Sequence, residues 1–152
     1  VKLLNASAFT SRALTDTERM VIALGGHRAE IDGMVIEAAV ALEADDPASG
    51  YLVLASHDRP FEETLSITLL SPRLETLDTA RIEHAYAPGI VSDVAVLGPG
   101  LLGFRFLTEA PWRLQVLERP ALRLPFASEP TGVRRRGALR RRFALSHGGA
   151  TG

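Results

Sequence analysis

The sequence predicts an all-β fold: a single-domain antiparallel β-sandwich or small β-barrel with at most one or two short helices. Three observations carry that expectation. Apolar residues take every second place in Thr64-Leu65-Ser66-Ile67-Thr68-Leu69, with hydroxyls in the gaps. The same period of two recurs at Leu102, Phe104 and Phe106, and again at Trp112, Leu114 and Val116. Clusters of Gly, Pro, Asp and Ser separate these segments. A period of two sends alternate side chains to opposite faces of a strand, and punctuated repeats of it describe an antiparallel sheet.

Residues 1–18 give no clear element until Thr15-Asp16-Thr17-Glu18, which has the spacing of a helix capping box. It would start a short helix through Met20, Val21 and Leu24, stopped at Gly25-Gly26. Met20–Leu24 also reads as a buried strand entering a Gly-Gly turn. Strand is favoured, because so short a helix needs strong tertiary support. Ala29–Glu43 reads as one long strand, with Met34, Ile36, Ala38, Val40 and Leu42 in alternate places, although its alanines also suit a helix. Asp45–Gly50 is a loop, Tyr51–Ala55 a core strand, and Thr64–Leu70 the next strand. The loops at Ala44–Gly50 and His57–Glu63 are expected together at one end, where binding usually sits.

Ala80–Tyr86 alternates less cleanly, and Ile90–Leu97 reads as a strand. Gly98-Pro99-Gly100 is a turn, and Leu101–Leu107 with Trp112–Leu117 form a hairpin whose aromatic contacts fix its register. Pro120 and Pro125 bracket Leu122 and Leu124, which suits an edge strand. About eight to ten strands result, as in a sandwich or small barrel.

The chain has 152 residues, 46% of them hydrophobic, which suits one domain with a real core. No apolar stretch is long enough to span a bilayer as a helix, and the first residues do not read as an intact signal peptide. There is no cysteine, which excludes disulfides, thiolate metal sites and a Cys nucleophile. A cytoplasmic location is expected. Only one of the 17 basic residues is lysine, read here as the codon bias of a GC-rich, bacterial genome.

Charge divides the chain into a β domain at 1–129 and a basic Arg-rich segment at 130–152. Up to Glu129 there are 18 acidic and 11 basic residues, a net −7; beyond it six arginines and no acid give +6, which together make the overall −1. Arg134, Arg135, Arg136, Arg140, Arg141 and Arg142 are therefore the candidate anion- or partner-binding residues. Guanidinium groups pair bidentately with phosphates and carboxylates. Such a run would bind nucleic acid, an anionic membrane surface or an acidic partner, or else form a solvated basic tail or fold back on the acidic body of the same or a neighbouring subunit. Leu139, Phe143 and Leu145 would lie on one face of a short helix or tie the segment down as an extra strand.

Catalytic signatures are missing. His27, His57, His84 and His147 form no His-x-His pair, and there is no Gly-x-Ser-x-Gly. Gly98–Gly103 has the letters G-x-G-x-x-G, but Pro99 lies inside and a strand follows, so it reads as a turn between strands. Trp112, Phe104 and Phe106 read as core rather than as a ligand pocket, with Arg105 and Arg113 on the other side. No cofactor is called for. The functional expectation is a non-catalytic binding or protein-interaction module that self-associates as a homo-oligomer through its acidic body and basic segment. Two alternatives accompany it: a small-molecule binder or enzyme whose pocket uses His57, Glu83 and His84, and nucleic-acid binding through the Arg134–Arg142 run.

Overall fold

The computed structural model describes residues 2–4, 8–14, 17–43, 46–57, 62–85, 91–106, 110–122, 130, 132–135 and 140–148. Among them are thirteen strands. In chain order these are β1 (Lys2–Leu4), β2 (Thr10–Ala13), β3 (Arg19–Leu24), β4 (His27–Asp32), β5 (Val35–Leu42), β6 (Gly50–Ser56) and β7 (Glu62–Leu70). Then follow β8 (Thr76–Ala85), β9 (Ser92–Gly98), β10 (Leu101–Arg105), β11 (Trp112–Leu122), β12 (Val133–Arg135) and β13 (Arg140–His147). They exceed the expected number mainly because β1, β2 and β12 are too short to show a period.

The strands form three antiparallel sheets, ordered β1-β5-β6-β7-β8-β12, β13-β11-β10-β9 and β2-β3-β4. The six-stranded sheet lies in the middle, because alternate residues of its strands belong to two different cores. Leu52, Leu54, Leu65, Ile67, Leu69, Ala80 and Ile82 pack against Leu102, Phe104, Trp112, Leu114, Val116, Phe143 and Leu145 of the four-stranded sheet. Ala39, Val53 and Leu70 on the opposite face pack against Met20, Ile22 and Ile31 of the three-stranded sheet. The all-β expectation holds, as a sandwich with a third layer.

Met20–Leu24 is a strand, paired with β4 around Gly25-Gly26. Both glycines have positive φ, 58° and 83°, as a tight hairpin turn requires. The single long strand expected over Ala29–Glu43 is instead broken at Gly33, where the chain passes from the outer sheet into the middle one. Gly33 has φ 120°, and a Cβ there would lie 2.5 Å from that of Ala55. Its N–H donates to the Glu18 carbonyl at 2.7 Å, and that of Met34 donates to Ser56 at 2.8 Å. A register shift between Ile36 and Ala38 then changes faces, so Ile36 packs on the second core and Ala38 on the first.

The expected aromatic hairpin is present, with Phe104 opposite Trp112 and Leu102 opposite Leu114. Leu122 does not begin a separate edge strand. It ends β11, paired with Arg140, beyond an irregularity between Val116 and Ala121 that accommodates Pro120. Leu124 and Pro125 lie outside the described residues. The loops after β5 and β6 do not gather at one end: consecutive connections in an antiparallel meander leave from opposite ends, as the β5–β6–β7 register requires.

Two carboxylates tie the middle sheet to the four-stranded one. Asp46 accepts from the backbone N–H groups of Glu43 and Gly100, both at 2.6 Å, and joins the β5–β6 loop to the β9–β10 turn. Burial raises the Asp46 carboxyl, but hydrogen bonds to it, these two among them, outweigh burial and hold it below the usual carboxylate value. At the far edge Asp78 meets Arg135 at 2.9 Å, with side chains only 3% and 2% exposed. The same Asp78 oxygen accepts from the Arg142 N–H at 2.8 Å. Arg135 also donates to the Phe143 carbonyl at 2.7 Å and lies 4.5 Å above the Phe143 ring. The pair thus occupies backbone groups on β13 from β8 and β12. Asp78→Ala would remove the carboxylate from a buried ion pair, and should lower stability by about 3–5 kcal/mol in urea unfolding. A loss under about 1 kcal/mol would show that the pair does not hold this edge.

Candidate functional site

The second face of the middle sheet is apolar only where the three-stranded sheet covers it. Towards β8 and β12 it turns polar, because the alternate positions there are Ser66, Thr68, Thr79, Arg81, Glu83 and Arg134. The end of β4 adds Asp32. Between them lies a cleft of about 390 Å³, lined by Asp32, Thr79, Arg81, Glu83 and Arg134 together with Ala80, Val133 and Arg135.

Charges of opposite sign alternate along this cleft. Asp32 accepts from Arg19 at 2.6 Å and pairs with Arg81 at 3.1 Å. Arg19 also binds Glu30 at 2.9 Å. Arg81 approaches Glu83 at 3.8 Å, and Glu83 binds Arg134 at 3.0 Å. Side-chain exposure rises along the row, from 5% at Asp32 through 24% at Arg81 and 34% at Glu83 to 77% at Arg134. The floor of the cleft is therefore fixed by buried pairing, and its mouth is held by one solvent-exposed ion pair.

Beside the cleft, His57 is buried against β7. Its Nε2 lies 2.7 Å from Ser66 Oγ, and its Nδ1 lies 3.7 Å from a Glu18 carboxylate oxygen. Hydroxyl, imidazole and carboxylate stand in the order of a nucleophile, its base and an orienting acid. The surroundings do not suit that chemistry. Ser66 is 2% exposed, and β7 is hydrogen-bonded on both sides, so the backbone N–H groups beside Ser66 belong to the ladder and not to an oxyanion. What the arrangement does is give buried polar groups their partners. Among the described residues no group of three His, Asp or Glu side chains is placed to hold a metal ion.

The six candidate arginines do not form one patch. Arg134 faces the cleft, while Arg135 points to the opposite face and is buried in its pair with Asp78. Arg136 lies outside the described residues. Arg140 is known by its backbone pairing with Leu122, Arg141 is half-buried, and Arg142 is exposed. His57 and Glu83 share the second face, on either side of Thr64; the His84 side chain lies outside the described residues. Trp112 is core: its Nε1 donates to the Phe106 carbonyl at 3.2 Å, and its ring stacks on Phe104 and His147. Arg105 and Arg113 face solvent. Gly98-Pro99-Gly100 forms the turn between β9 and β10.

Sequence reasoning missed Asp32, Arg81, Ser66 and Asp78. The one available signal was the row of hydroxyls alternating with Leu65, Ile67 and Leu69, which marks a polar face on a central strand.

Comparison with protein-family models, with curated proteins and with solved structures finds no match to this chain.

Ser66→Ala should leave His57 without its hydroxyl partner and cost about 1–3 kcal/mol of stability in urea unfolding. Wild-type Ser66 should also stay unlabelled by a fluorophosphonate. Labelling at Ser66 would show an accessible, activated hydroxyl instead.

Proposed function

We propose that the protein is a non-catalytic interaction module that associates through the charged cleft beside β12, with a second copy of the chain as its partner. The observation that carries this reading is the Glu83–Arg134 pair at the mouth, 34% and 77% exposed. Exposed ion pairs contribute little to a fold, so their partners exchange at low cost. The deeper Asp32 pairs are largely withdrawn from solvent and stay in place. A second copy that offers the same acid and the same base satisfies both charges across the interface, as a twofold contact requires.

Sedimentation velocity tests this. The wild-type chain should associate at low salt and dissociate at high salt. Glu83→Arg and Arg134→Glu should each abolish association alone, and mixing the two variants should restore it. A wild-type chain that stays monomeric at low salt contradicts the reading.

A further inference from the structure

The outer face of the three-stranded sheet carries a second groove, of about 370 Å³, lined by Thr10, Ser11, Arg12, Val21, Ala23 and Arg28. The register explains its form. Thr10, Ala23 and Arg28 make one row across β2, β3 and β4, and Arg12, Val21 and Glu30 make the next. The two arginines therefore stand diagonally across β3, with Cα atoms about 12 Å apart by strand spacing and rise. Val21 and Ala23 lie between them and form a low floor.

Arg12 and Arg28 differ from the arginines of the cleft. Arg19, Arg81, Arg134 and Arg135 are each held by a carboxylate of the chain. Neither Arg12 nor Arg28 has an ion-pair partner among the described residues. Glu30, the acid on the same face, is engaged by Arg19 at 2.9 Å. Two guanidinium groups that share a groove repel one another, and a doubly charged anion between them removes that repulsion while accepting hydrogen bonds from both. Thr10, in the same row as Arg28, stands at the rim, where its hydroxyl donates to the Ala23 carbonyl at 3.4 Å. The geometry points to a binding site for a phosphate dianion, free or as a phosphomonoester, between Arg12 and Arg28. The groove shares no lining residue with the charged cleft and does not depend on the proposal made for it.

Amide NMR titration of the full chain with inorganic phosphate and with O-phosphoserine tests the assignment. Saturable shifts are expected at Thr10–Arg12, Val21–Ala23 and Arg28. Arg12→Gln and Arg28→Gln should each raise Kd at least tenfold, and Arg113→Gln, on the other outer sheet, should leave it unchanged. Equal affinities for the two probes place recognition in the phosphate alone, and tighter O-phosphoserine binding places it in the ester; both outcomes support the site. Shifts that grow linearly without saturation, or that persist unchanged in both glutamine variants, overturn it.

Discussion

The central strands of the middle sheet, β6 and β7, are covered on both faces, and that constraint shapes the rest of the molecule. A sheet with one wet face sends its polar side chains to water. Here Ser66, Thr68, His57, Asp32 and Asp78 are all nearly inaccessible, so each must find its partner within the protein. The network around Asp32 and the His57–Ser66 contact meet that need on the second face, and the Asp78–Arg135 pair meets it on the first. The polar groups that most resemble a catalytic set are thus bound up in holding three layers together.

The two long edges of the sandwich differ. At β12 and β13, Asp78 and Arg135 occupy backbone groups that a free edge would expose. At β1 and β9, Leu3 and Val96 stay 47% and 39% exposed. Buried charge therefore closes one side, where the Arg-rich segment joins the fold, and apolar side chains remain open on the other. The basic segment acts partly as an internal anchor: Arg135 serves the core and Arg134 the cleft, because neighbouring residues of a strand face opposite ways.

Much of this was legible from the sequence. Alternation places β7, β10 and β11, where the period of two survives, and the continuous apolar run Tyr51–Ala55 places β6, which is buried on both faces. Alternation failed at Gly33, where the chain changes sheet before the alternation of Met34–Leu42 begins, and only the φ of Gly33 and its approach to Ala55 mark the crossing. The candidate site was hidden for a different reason. Asp32 and Arg81 lie 49 residues apart in the chain and meet through the packing of the outer sheet on the middle one. Val133-Arg134-Arg135 looked like charge to be solvated, because three residues are too few to reveal which one points inward.

Native-state hydrogen exchange measures the central claim most directly. If the middle sheet is buried on both faces, the amides of β6 and β7 should exchange only through global unfolding, while those of the edge strands β2 and β9 exchange through smaller local openings. Exchange of Val53, Leu54, Ser66 and Ile67 at free energies well below that of global unfolding would contradict a three-layered molecule with this sheet at its centre.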